Sequence, residues 1–389
     1  MTMSRHDEEK LLAYRSEFPT LSSSVHLISH SLGAMPRSAR QWAMRFLDEW
    51  EGESIEAWET WLPFVRELGD TIAEVVGAPK GSIAIHQNVS TIQSMIASCF
   101  EFEAPRNRVV YSELNFSTVH YVWERQRQRG AEIVMVRARD SVHPPMEELL
   151  SAIDERTLIV PISHVLFRSS AIKDVPAIVK RAHEVGALVM LDCYQSAGVL
   201  PVKLAEWEVD IACGGSVKWA CGGPGAAWVY VAPSVLPRLK PMQTGWFGHK
   251  RPFAFEMDSI DYADDVFRVM GGTPPIPALY TARAGWEIIR KIGVEAIRKK
   301  SLRQTALLRN LVEERGFRVN TPREDDARGG TICFDFEGAE RASKELNARR
   351  FFHDYRPKCG LRASPHFYTT DEEIERFVRE IDVVRRSVL

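Results

Sequence analysis

Two stretches decide the fold: residues 188–198, LVMLDCYQSAG, and residues 214–225, GGSVKWACGGPG. In the first, four apolar residues run straight into Asp192, which puts a carboxylate at the end of a buried strand, where an open α/β sheet places its ligands. In the second, Lys218 sits among small residues, between Val217 and Trp219 and ahead of a glycine-rich turn. A partly dry pocket disfavours the ammonium form and makes a lysine a better nucleophile. Taken singly, Asp192 also reads as a capping or turn aspartate and Lys218 as a surface lysine at a strand end.

Outward from these two stretches, strands and helices alternate. Residues 83–86 (IAIH) read as a strand, QNVSTIQSMIASCFEF as a helix with Asn88 and Ser90 as capping candidates, and RVVYSE, EIVMVRA, TLIVPISHV and GAAWVYVA as further strands with helical segments between the earlier ones. Such alternation implies βαβ units and a large, mostly parallel sheet covered by helices on both faces. The chain divides into a helical N-terminal segment (1–75), a large α/β domain (76–285), and a linking helix with a smaller C-terminal α+β domain (286–389). One long helix is expected from Thr281 to Gly316, and a leading helix from Asp7 to Arg15.

Composition narrows the function. Over 389 residues, 50 Lys and Arg nearly balance 52 Asp and Glu, for a net charge of −2, which leaves no electrostatic footprint for nucleic acid or an anionic membrane. Six cysteines without a CxxC pair suggest neither a disulfide scaffold nor a metal site. The start MTMSRHDEEKLLAYRSEFP reads as too polar for a signal peptide's apolar segment, and no stretch supplies about 18 uninterrupted apolar residues. The expectation is a cytoplasmic enzyme of small molecules.

A strand-end aspartate that can pair with a protonated pyridine nitrogen, a lysine that can form an imine and a helix N-terminus that can hold a phosphate are together the parts of a pyridoxal phosphate site. With ISHSLGAMPR (28–37), LDCYQSAG (191–198), VDIACGGSVKW (209–219), GWFGH (245–249), GGTPPIPAL (271–279) and GLRASPHFYTTDEEI (360–374), the chain resembles the fold type I pyridoxal 5'-phosphate (PLP) enzymes. Within them it is similar to the aminotransferase class V group, kynureninases above all.

The resemblance implies a role for each matched position. Lys218 is the Schiff-base lysine and the acid/base at the substrate's alpha carbon, and Asp192 keeps the pyridine nitrogen protonated. Gln195 bonds the phenolic oxygen, Val89 and Ser90 cradle the phosphate, Phe116 stacks on the ring, and Ser216 and His164 are further cofactor contacts. Trp246 and Thr273 reach the phosphate of the partner subunit's cofactor, which makes the protein a homodimer with shared sites. Arg362 grips the substrate carboxylate, and His30 belongs to the substrate pocket, with Arg168 and the 247–255 segment as further specificity elements.

The chain departs from the kynureninase pattern at Val217, where a tyrosine is usual, at Val119, where an aspartate is usual, and at Gln195, where a histidine is usual. Cys333 in a core strand and Cys359, three residues before Arg362, do not match the loop thiol of a cysteine desulfurase. The resemblance therefore implies a PLP enzyme acting on an amino acid by kynureninase-like hydrolytic cleavage. Transamination, beta-elimination or epimerisation are the other reactions it allows, and a non-catalytic regulator or scaffold is the reading of a different class.

Overall fold

The computed structural model describes residues 4–388. Seven strands form one sheet in the spatial order Ile83–His86, Ala227–Val231, Ile211–Gly215, Leu188–Asp192, Thr157–Ser163, Arg108–Ser112 and Glu132–Val136. Ala227–Val231 is antiparallel to both its neighbours, and every other pair is parallel. Leu188–Asp192 lies at the centre, and all five of its residues are buried. That is why it reads as an unbroken apolar run rather than an alternating one.

The C-terminal part is a four-stranded antiparallel sheet, Asp354–Arg356, Gly360–Ala363, Ile332–Asp335 and Arg318–Val319 in spatial order. Helices Ala339–Ala348 and Asp371–Val388 cover it. Leu308, Phe334, Leu346, Leu361, Phe377 and Ile381 form its core, each 0% exposed. Burial of each such side chain contributes about 1.5–3 kcal/mol.

Three elements differ from the sequence reading. The expected long helix is two, Ile276–Ile292 and Val294–Glu313; between them Gly293 has φ +83, a conformation that ends a helix and that side chains rarely adopt. The leading helix is Arg5–Leu12, capped by the Ser4 side chain, and continues as a tighter 3-10 turn over Ala13–Glu17. The N-terminal segment is also not wholly helical. Helices Ser38–Glu53 and Ala57–Val75 pack on Ile276–Ile292, but Val25–His26 pairs in parallel with Phe351–Phe352, and Ile28 bridges Ser364. A two-residue strand is too short to announce itself by periodicity.

Beyond Ile28 the same segment crosses to the large sheet. Gly33 donates its backbone N–H to Val217 O at 2.8 Å. A Cβ on Gly33 would fall 2.2 Å from Lys218 O, so only glycine lets the two segments approach this closely.

Candidate active site

The carboxyl ends of the central parallel strands bring Asp192 and Ser163 side by side as cross-strand partners. Above them opens a cavity of about 250 Å³, lined among others by Asp192, Lys218, Gln195, Phe116, Val89 and Ser90.

Asp192 is 6% exposed. Its Oδ1 accepts the Tyr194 N–H at 2.8 Å, and no basic side chain among the described residues forms an ion pair with it. Burial pushes its carboxyl up, against the Tyr194 N–H and the charges of Lys218 and Lys173. A buried carboxylate lacking a paired cation is costly, and a protonated pyridine nitrogen is a cation of the right kind to relieve it.

Lys218 lies in the turn after Ile211–Gly215, closed by Cys221 N–H to Lys218 O at 3.0 Å and Gly222 N–H to Ser216 O at 2.7 Å. Its Nζ has no hydrogen-bond partner among the described residues. It stands 4.3 Å from the centroid of the Tyr194 ring and 5.8 Å from that of Phe116. Burial brings its ammonium down to about 8, with Asp192 working against the fall. Gly215 makes room for this ring, since a Cβ there would meet Tyr194 Cζ at 2.5 Å.

Helix Val89–Ala97 starts at the cavity, with Asn88 Oδ1 accepting Thr91 N–H at 2.9 Å. Its opening N–H groups have no partner within the helix and favour an anion. Ser90 Oγ and Thr118 Oγ1, 3.1 Å apart, add two hydroxyls. Phe116 immediately precedes helix Ser117–Glu124, is 44% exposed, and meets Phe167 edge to face at 5.2 Å. Gln195 donates from Nε2 to His30 O at 3.0 Å and accepts Trp219 Nε1–H at 3.3 Å, which leaves one amide hydrogen for a ligand. The residues present thus fit a phosphorylated pyridine aldehyde at every end.

Other expected residues lie off the lining of this cavity. Ser216 accepts Trp286 Nε1–H at 2.9 Å. His164 is buried edge-on against Trp207 at 5.3 Å, its Nδ1 without a partner among the described residues, and burial lowers it to about 4. Thr273 lines a separate cleft with His86 and Thr91, and Trp246, 37% exposed, donates its Nε1–H to Pro252 O. Arg362 abuts the cavity through Phe167, whose carbonyl accepts its Nη1–H at 2.7 Å. His30 is buried, with its ring nitrogens on Ser364 Oγ at 2.8 Å and Asp354 Oδ1 at 3.0 Å. Cys333 and Cys359 are buried, and Cys359 Sγ donates to Arg168 O at 2.8 Å.

Sequence reasoning missed three groups. Ser163 Oγ is buried at the cavity and has no hydrogen-bond partner among the described residues; its place at the end of the strand beside Asp192 was the available signal. Lys173, 2% exposed, donates to Asn115 Oδ1 at 2.7 Å, and burial lowers it to about 7, with Asp192 opposing. Asp354 lies across the ladder from Arg362, and nothing in its local sequence announces that. Among the described residues no cluster of three or more His, Cys, Asp or Glu could hold a metal.

Comparison with known proteins follows the same lines. The family model "Aminotransferase class-V" matches residues 63–377. A kynureninase of Bacillus thuringiensis subsp. konkukian (strain 97-27) is 30% identical over 387 residues, covering 95% of this chain and 90% of that one. A kynureninase of Pseudomonas fluorescens is 30% identical over 381 residues, covering 94% and 90%. Among solved structures, a cysteine desulfurase from Thermococcus onnurineus NA1 superposes with a TM-score of 0.86 over 100% of this chain and 99% of its own. A C-DES variant with glycine covalently linked to its PLP cofactor superposes with a TM-score of 0.85 over 95% and 99%. Both solved structures are 18% identical to this chain, a likeness of fold alone.

Proposed function

The chain belongs to the aminotransferase class-V family, and on that premise we propose that this PLP-dependent enzyme cleaves the side chain of an amino acid of the kynurenine type by hydrolysis. The observation that carries the cofactor is the single cavity shared by Asp192, Lys218, Phe116 and the start of helix Val89–Ala97. Similarity to kynureninases over 95% of the chain supports the reaction.

Bound in this cavity, PLP would supply an aldehyde for the substrate's amino group and a ring that withdraws electrons from its alpha carbon. Asp192 would hold a proton on the ring nitrogen, for which its buried, unpaired carboxylate is suited. Lys218, with an amine that is partly free near neutral pH, would carry the proton to and from the alpha carbon. The helix N–H groups at Val89 and Ser90, with the Ser90 and Thr118 hydroxyls, would bind the phosphate. Phe116 would cover one ring face, and the remaining amide hydrogen of Gln195 would meet the phenolic oxygen. Arg362 would orient the substrate through its carboxylate.

A homodimer is part of this proposal. Trp246 and Thr273 stand away from their own chain's Lys218 cavity, as residues serving a partner's site would. Among the described residues no helix is long and apolar enough to cross a membrane; a cytoplasmic location is likewise proposed.

Incubation of the PLP-loaded protein with kynurenine and hydroxykynurenine should release an anthranilate-type product and alanine. Lys218→Ala should abolish release and change the visible absorption of the bound cofactor. Absence of both products at high enzyme concentration would overturn the reaction, and a protein that stays colourless with added PLP would overturn the cofactor site. Val217, which offers no hydroxyl beside Lys218, favours a second reading in which the reaction is a transamination, a beta-elimination or an epimerisation. Conversion of the cofactor to pyridoxamine phosphate by an amino acid would mark transamination.

A further inference from the structure

Arg362 is held more completely than substrate binding alone requires. It is 4% exposed and faces Asp354 across the antiparallel ladder. Its Nε–H donates to Asp354 Oδ1 at 2.8 Å, its Nη2 to Asp354 Oδ2 at 2.5 Å, and its Nη1 to Phe167 O at 2.7 Å. A guanidinium has five N–H groups, so two are left, one on each terminal nitrogen.

Asp354 gathers two further donors. His30 Nε2 lies 3.0 Å from its Oδ1, and Arg356 Nη2 lies 3.0 Å from its Oδ2. Burial pushes the Asp354 carboxyl up, but hydrogen bonds from His30 and Arg362 more than reverse this and hold it well below the usual range. The carboxylate is therefore an acceptor only, so Nε2 carries the hydrogen given to Asp354, and Nδ1 faces Ser364 Oγ at 2.8 Å, whose one hydrogen also has Leu27 O within reach at 3.1 Å. Burial and the Arg362 charge keep this ring neutral, lowering it to about 3. With both nitrogens engaged, His30 has no polar atom for a substrate.

We propose that Asp354 is a positioning residue for carboxylate recognition: it clamps the Nε–Nη2 edge of Arg362, leaving the two terminal N–H groups as the only donors the arginine can offer, while His30 braces the clamp. This rests on the proposed function in taking Arg362 as the group that meets the substrate carboxylate. The recognition it describes is end-on and confined to a single carboxylate, because the more usual side edge of the guanidinium is already occupied. The Gln195 amide, bonded to His30 O, ties the same brace to the cofactor side of the cavity.

The test compares affinities rather than turnover. Calorimetry of the PLP-loaded protein with a panel of protein amino acids and L-kynurenine identifies the tightest ligand, which is then measured beside its decarboxylated amine. Asp354→Asn should weaken the amino acid by about tenfold or more and the amine by less than about twofold, as should Arg362→Ala. If Arg362→Ala shows this selective loss and Asp354→Asn does not, the clamp is overturned while the arginine's role stands. If Arg362→Ala changes neither ligand, or no amino acid binds better than its amine, the carboxylate reading falls and the clamp with it. The kynurenine product assay remains a separate measure of the reaction. Should Asp354→Asn fail to fold, Asp354→Glu keeps the charge but shifts it by one methylene, and the same selective loss is expected; equal losses for acid and amine would mark a merely structural carboxylate.

Discussion

Two buried lysines flank one buried carboxylate, and only one of them opens to the cavity. Lys173 has an amide oxygen for a partner where an ammonium ordinarily has a carboxylate or water. Its folded value, about 7, lies below its unfolded 10.5, so between those values the unfolded chain binds more protons than the folded one. Stability of the PLP-free protein should therefore rise as pH increases from about 7 towards 10, by up to about 1.4 kcal/mol per unit from this group. Lys173→Met should reduce the rise and leave the share of Lys218, whose ammonium burial also lowers, as read by thermal unfolding across the range; an unchanged slope would show that Lys173 titrates normally. Asp192 and Lys218 were legible in the sequence because each terminates or follows an apolar strand. Lys173 was not, because its isolation follows from what surrounds it in space, and the loop IKD carries no local mark of burial.

At the scale of elements, close approach between segments decides what the site looks like. Gly33→Ala puts a methyl group against Lys218 O, so either the N-terminal segment or the lysine turn must move. The expected outcome is weaker PLP binding and a melting temperature several degrees lower, at a cost of roughly 1–3 kcal/mol; unaltered PLP affinity would show that the contact does not shape the turn. Gly293→Ala tests the helix break by itself. Nothing lies within 4 Å of a Cβ there, so its cost should be conformational, about 1–3 kcal/mol, with PLP affinity unchanged. The sequence reading merged these two helices because apolar spacing continues across the break, and a single glycine inside a helical pattern does not declare its φ.

For the molecule as a whole, the apolar surface is informative. Trp50 and Ile55 in one segment, and Phe253, Phe255 and Met257 in another, are 57–91% exposed; the proposed homodimer would cover apolar surface of this kind. Sedimentation should find a dimer. A sharper test mixes Lys218→Ala with Thr273→Ala subunits: if sites are shared, random pairing of two inactive variants restores about a quarter of the active sites, whereas sites confined to single chains would restore none. The large sheet was readable from strand and helix alternation alone. The pairing that closes the small sheet onto the N-terminal segment was not, since it joins residues with no pattern in common.

That closure also sets an order of events during synthesis. His30 and Asp354 meet 324 positions apart, and Val25–His26 has no strand to pair with until Phe351–Phe352 exists. While the chain is still emerging from a ribosome, the central sheet can assemble around Asp192 and Lys218, but the first thirty residues must wait for nearly the last forty. Contacts of such long span are slow to form, so a nascent chain acquires the lysine and its aspartate first, and Arg362, the residue proposed to meet the substrate carboxylate, comes into place only at the end.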